Sequence, residues 1–277
     1  MTDAFFDVQA RGDQEVLIPT PAGAGGWSTE QIRGPAVSAA LARASERVAD
    51  DALPDMRPVR WSVDLFRPAM MLPTTVTVSI FRQGRRIGLI DAELVQNGGP
   101  VARSRALFAK PSPTPGGQVW TPSPTFRPPP ADLRPVPGEP RLYNSDHRGW
   151  TPNVRDHPGG AHKQTWHFPV AVIEGEEPTR FQMAAGVADV ANLVMSWGSA
   201  GVEFINADIT LAIARLPVDM ELGLYALDRT VNDGIAVGTA AMFDRHGQLG
   251  TATVVTLANS ANRVDIGNSG GGAPLPD

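Results

Sequence analysis

The two halves of this 277-residue chain share one hydrophobic register at a separation of 148 residues, and few architectures other than a duplicated one accommodate that. Arg67 falls on Arg215, Ile87 on Ile235 and Gly99 on Gly247 without a gap. Between them Leu65/Ile213, Val76/Leu224, Leu89/Val237, Val95/Phe243 and Leu107/Val255 keep matching positions apolar. A slip of one residue in an extended strand turns every side chain to the opposite face, so a register held through four strands and two turns points to duplication.

Each copy begins with a helical pattern. Val37, Leu41, Ala44 and Val48, spaced by four, three and four, predict an Ala-rich amphipathic helix, preceded by the capping candidates Ser28 to Gln31 and stopped near Asp50 and Asp51. Met183, Val187, Val190, Val194 and Trp197 predict its counterpart, which the run Gly198 to Gly201 ends. Alternation then predicts a four-strand meander from Trp61 to Ala109. In the second half it predicts strands over Asp208 to Ala214, Met220 to Asp228, Ile235 to Asp244 and Leu249 to Leu257, with one more from Thr165 to Ala171. Residues 1–30 read as short strand fragments and turns. Eleven prolines between Pro111 and Pro140 exclude a helix or a central strand there and predict an extended surface linker. The expected organisation is an N-terminal domain over 1–110, a linker over 111–140 and a C-terminal domain over 141–277.

Composition narrows the chemistry. A net charge of -5 without a Lys/Arg run argues against a nucleic-acid or anionic-membrane partner. The absence of cysteine removes disulfides, thiolate nucleophiles and Cys-ligated metals. No signal-peptide pattern and no apolar run of about 18 residues is present, so a cytoplasmic protein is expected. His147, His157 and His162 with Asp146 and Asp156 lie in a Gly-Pro loop instead of on one helix face, and no metal is expected there. Ser196 and Ser199 lack a nucleophile-elbow context. Asp189 differs from these, because it lies about 120° round the second helix from the centre of its apolar stripe, at the edge of the buried face.

A helix followed by strands that wrap it, occurring twice, resembles the hotdog fold in its double form, and more closely the bacterial acyl-CoA thioesterases related to thioesterase II. The resemblance is carried by RGPAVSAALARA from Arg33, WSVDLFRPA from Trp61, QNGGPVARSRALF from Gln96, ADVANLV from Ala188 and NADITLAIARLP from Asn206. It implies an α+β double hotdog, two tandem helix-plus-antiparallel-sheet repeats forming a pseudo-dimer. It also implies hydrolysis of acyl-CoA thioesters, with acyl-CoA as the partner, no cofactor, and chains that often pair their sheets into homo-oligomers. The family's catalytic Asp carries over to Asp189, its water-holding Thr to Asn206 and its Gln to Val255, which cannot hydrogen-bond. Thr210 is then the expected third polar contact. The alternative is a non-catalytic acyl-CoA or acyl-lipid binding protein, with Val255 as its mark.

Thioester hydrolysis needs a base for water and donors for the carbonyl oxygen. Backbone N–H groups near Arg33 and Gly34, at the start of the first helix, are the expected oxyanion donors, although Pro35 removes one. Trp27 reads either as a cover for the acyl channel or as plain core. Arg67 and Arg215 read either as contacts for CoA phosphates or as structural ion pairs at equivalent turns.

Overall fold

The structure, a computed structural model, describes residues 4–12, 14–120 and 126–264; part of the Pro-rich stretch and the last thirteen residues assigned to the C-terminal domain lie outside the described residues. A hairpin of β1 (Phe6–Arg11) and β2 (Gln14–Pro19) precedes helix α1 (Gly34–Ala52). Then come β3 (Arg57–Asp64), β4 (Thr75–Gln83), β5 (Ile87–Gln96) and β6 (Gly99–Ala109). Beyond the Pro-rich stretch, β7 (Arg141–Ser145) and β8 (Lys163–His167) lead to α2 (Arg180–Asp189) and α3 (Ala191–Ser196). The short β9 (Trp197–Gly198), β10 (Gly201–Val202) and β11 (Phe204–Asn206) precede the long strands β12 (Asp208–Ile213), β13 (Leu222–Asn232), β14 (Ile235–Asp244) and β15 (Gly247–Ala258).

One antiparallel sheet runs through both halves in the order β4-β5-β6-β3-β12-β15-β14-β13-β8-β7, with β11 added beside β15. The halves meet where β3 pairs with β12, Trp61 opposite Leu211 and Asp64 opposite Asp208. The expected meander is corrected by this order: β3 lies against β6, and β4 is the far edge, so the connection after β3 crosses the sheet. Helices α1 and α2 pack on the inner face and on each other. Small side chains let them approach, since a methyl at Gly186 would already meet the Pro35 carbonyl at 3.2 Å. Ser38 Oγ donates to the Ala185 carbonyl at 2.7 Å and accepts from Trp61 Nε1 at 2.9 Å, tying both helices to β3. Leu41, Trp61, Ile90, Leu94, Phe181, Ile209 and Leu211 are fully buried in this core.

The 148-residue repeat extends to the hydrogen bonds. The Met70 N–H donates to the Gln96 side chain at 2.9 Å, and the Val218 N–H donates to the Asp244 carboxylate at 3.0 Å, both pairs standing 148 apart. The register also shifts at equivalent places, between Pro58 and Arg60 on β3 and around Ala207 between β11 and β12. Other expectations are altered. The second helix breaks at Val190, directly after Asp189, instead of running unbroken to Trp197. Strand β8 stops at His167, short of Ala171, and β7 was not anticipated. The amino-terminal hairpin joins both halves, bridging Phe6 to Ile173 and Leu17 to Thr74. In the Pro-rich stretch Phe126 stacks on Phe243 with ring centroids 4.7 Å apart. No helix among the described residues is long and apolar enough to cross a membrane.

Candidate active site

Asp189 is the last residue of α2, and its carboxylate rests against the first turn of α1. Gly34 makes this approach feasible, because a Cβ there would overlap both carboxylate oxygens. Asn206 Nδ2 donates to Asp189 Oδ1 at 2.8 Å and to the Asp189 backbone carbonyl at 2.9 Å. The other end of that amide, Asn206 Oδ1, is buried with no hydrogen-bond partner. Burial pushes the Asp189 carboxyl up to about 6, against the opposing pull of the Asn206 hydrogen bond and the charges of Arg141 and Arg33. Among the described residues no cation comes within ion-pair distance of it. The result is a half-buried carboxylate that is ionised near neutrality yet basic enough to take a proton.

Strand alternation alone would turn Asn206 away from Asp189. Ile209, Leu211 and Ile213 face the core, so Asp208 and Thr210 face outward, and position 206 has the same parity. The irregularity at Ala207 reverses this: Asn206 pairs with Thr256 while Thr210 pairs with Thr253, a shift of one residue. Such a bulge re-aims a side chain locally. The Thr210 assignment is therefore corrected, since it lies on the outer face opposite Ser62, remote from the Asp189 carboxylate. Val255 also faces outward, and its N–H donates to Asp208 Oδ1 at 2.6 Å. The inward-facing neighbour is Thr256, buried beside Asn206, its hydroxyl making one long bond of 3.4 Å to the Ala236 carbonyl. Sequence reasoning missed Thr256, and the bulge is the reason.

At the start of α1 the expected donors separate. The Arg33 N–H is occupied by the Gly23 carbonyl at 2.8 Å, which corrects its assignment as an oxyanion donor. Pro35 has no N–H, and the Ala36 and Val37 N–H groups are taken by the Arg33 carbonyl. The Gly34 N–H donates to none of the described residues, beside Asp189 and at the positive end of a 19-residue helix. Trp27 packs against a buried cluster of Tyr143, Trp197 and Val202 that Leu193 also joins. Arg67 is exposed at the end of β3 nearest Asn206, without an ion pair among the described residues. Arg215 lies at the far end of β12, locked by Asp244 through two bonds of 2.7 Å; it is a structural residue, and its assignment to substrate binding is corrected. His157 is held between Ser145 at 3.0 Å and Thr151 at 2.9 Å, and His162 donates to the Ala226 carbonyl at 2.6 Å.

The pseudo-equivalent position in the first half is disarmed. Pro58 stands where Asn206 would, at the matching register shift, and Phe108 stands where Thr256 would, packed against Phe181. The carboxylate at that end, Glu46, accepts from Thr179 Oγ1 at 2.6 Å and Gln182 Nε2 at 3.0 Å, so it serves the start of α2. Among the described residues the two helix junctions are therefore unlike, and the Asp189–Asn206 pair has no counterpart at the other.

Two tandem helix-wrapping repeats joined into one sheet, with a carboxylate at the helix junction, define a double hotdog protein. The chain matches the models of the acyl-CoA thioesterase N-terminal domain over residues 24–109 and C-terminal domain over residues 111–256, and it belongs to the acyl-CoA thioesterase family, whose members hydrolyse thioesters. Among solved structures it is similar to a hot dog fold protein from Alicyclobacillus acidocaldarius, at 14% identity and a TM-score of 0.67 over 92% of this chain and 97% of that one. It is also similar to the acyl-CoA thioesterase II TesB2 from Mycobacterium marinum, at 16% identity and a TM-score of 0.63 over 92% and 95%, and to the tesB protein of Mycobacterium avium subsp. paratuberculosis, at 16% identity and a TM-score of 0.64 over 92% and 96%. No curated protein matches it in sequence.

Proposed function

We propose that the protein hydrolyses acyl-CoA thioesters with a water activated by Asp189. The Asp189 carboxylate takes a proton from water as its oxygen attacks the thioester carbonyl; the Gly34 N–H receives the developing oxyanion. As the intermediate collapses the C–S bond breaks, and the same proton passes to the departing CoA thiolate. Asn206 orients the carboxylate through its 2.8 Å bond, and the Thr256 hydroxyl borders the water. The observation that carries the reading is a carboxylate pushed up to about 6, oriented by one amide and facing an open helix N-terminus. Val255 had favoured a non-catalytic binder, but its outward orientation takes the missing hydrogen bond out of the site. The same reading places the work in the cytoplasm, where CoA thioesters are turned over, with residues 1–110 and 141–277 as the two hotdog units.

The test is release of free thiol from a panel of acyl-CoAs. Wild type is expected to turn over at least one class, and Asp189→Ala to lose about 10²- to 10⁴-fold in kcat. An Asp189→Ala protein that remains folded and equally active removes the assignment.

A further inference from the structure

Three residues beyond Asp189, a spacing that returns to the same side of a helix, stands a second amide, Asn192. It lies in the first turn of α3, just past the break at Val190, and is 6% exposed. Its Nδ2 donates to the Phe204 carbonyl at 2.6 Å. Phe204 begins β11, and Asn206, two residues further along that strand, sends its own Nδ2 back to the Asp189 backbone carbonyl at 2.9 Å and to the carboxylate at 2.8 Å. One amide thus ties the helix to the strand, and the other ties the strand to the helix. Strand β11 depends on such ties, because it has three residues, pairs with β15 alone among the described strands, and is set off from β12 by the bulge at Ala207.

Two observations set Asn192 apart from ordinary core packing. Its Oδ1 is buried with no hydrogen-bond partner among the described residues, as is that of Asn206. A side chain that leaves a buried acceptor unsatisfied is a poor choice where only packing is at stake. Counted back by the repeat of 148 residues, Asp189, Asn192 and Asn206 fall on Leu41, Ala44 and Pro58. The first half packs its helix on the sheet with none of these polar groups, so that packing does not require them. We propose that Asn192 is a positioning residue, which fixes β11 against the helix break so that Asn206 meets the Asp189 carboxylate in a single orientation. The proposal rests on the hydrolytic reading of Asp189, and it adds a claim that packing does not make: Asn192 acts only through Asn206.

The experiment is a double-mutant cycle read by thiol release from acyl-CoAs. Asn192→Leu is expected to lower kcat about ten-fold or more with KM little changed. It should also move the rise of rate with pH upward from about 6, because it loosens the Asn206 bond that helps to pull the Asp189 carboxyl down. Arg33 and Arg141, whose charges pull in the same direction, are left in place. In an Asn206→Leu background the same substitution is expected to add nothing to either reading. Losses that multiply independently, or an unmoved pH profile, overturn the proposal and make Asn192 a packing residue. Asn192→Ala takes its place if Asn192→Leu does not fold, and failure of both to fold also assigns the amide to packing and overturns the proposal. If wild type hydrolyses no thioester, the reading of Asp189 fails instead. NMR titration of the Asp189 carboxyl carbon then decides the role of Asn192 alone: an upward shift in Asn192→Leu that is absent in the Asn206→Leu background supports it, and an unchanged titration overturns it.

Discussion

At the scale of residues, the proposed mechanism requires that Asp189 be kept basic, and this comes at some expense of stability. Its folded pKa of about 6 lies above the ordinary value of 3.8, so the folded state binds this proton more tightly than the unfolded one. Above pH 6 the ionised, half-buried carboxylate opposes folding, by about 3 kcal/mol at most. That penalty is relieved as the pH falls from 6 toward 4. Asp189→Asn should therefore abolish turnover while raising the denaturant midpoint at pH 7 to 8, with the gain shrinking below pH 6; parallel urea titrations and thiol-release assays would check both. The rate of the wild-type enzyme should rise as the pH increases through about 6, as the base becomes free. Thr256→Val keeps shape and removes the hydroxyl beside Asn206, so kcat should fall about ten-fold or more with KM little changed. An unaltered kcat would place the water elsewhere.

At the scale of elements, the bulge at Ala207 does most to build the site. Strand periodicity places Asn206, Asp208 and Thr210 on one face, and only the extra residue turns Asn206 inward. Excising Ala207 should leave a folded sheet, by circular dichroism and size exclusion, in a protein that has lost turnover because the amide faces the wrong side. The far end of β12 is structural. Asp244, 1% exposed, holds Arg215 and the Val218 and His246 N–H groups, and these partners hold its pKa below the carboxylate norm. Asp244→Ala leaves them unpaired and should cost about 3 kcal/mol, read from urea unfolding. In wild type the stabilisation is present at neutral pH and is lost as acid protonates Asp244. The equivalent turn in the first half uses neutral Gln96, which explains why Arg67 has no such anchor.

At the scale of the whole molecule, the halves are parts of one sheet. The β3–β12 pairing and the contact of α1 with α2 bury the seam, and the proposed active site draws Gly34 from one half and Asp189 from the other. Proteolytic cleavage in the Pro-rich stretch should therefore leave both fragments co-eluting and active, whereas either half expressed alone should be inactive; gel filtration with assay of the nicked protein tests this. The duplication was legible because strand register is a local property, repeated faithfully enough that Arg67 and Arg215, or Ile87 and Ile235, announce it without coordinates. The position of Asp189 was legible for a similar reason, as a lone carboxylate at the edge of an apolar stripe in a motif seen only in the second half.

The amino-acid sequence alone determined that two similar helix-and-strand units exist, where most of their strands run, and that Asp189 stands at a helix edge, because periodicity and helix geometry are encoded within a few residues. The tertiary structure decided which groups face that carboxylate. A one-residue bulge turned Asn206 and Thr256 inward and left Thr210 and Val255 on the outer face, and a contact between distant helices brought Gly34 to Asp189. Those choices depend on where remote segments pack, and no local pattern records that.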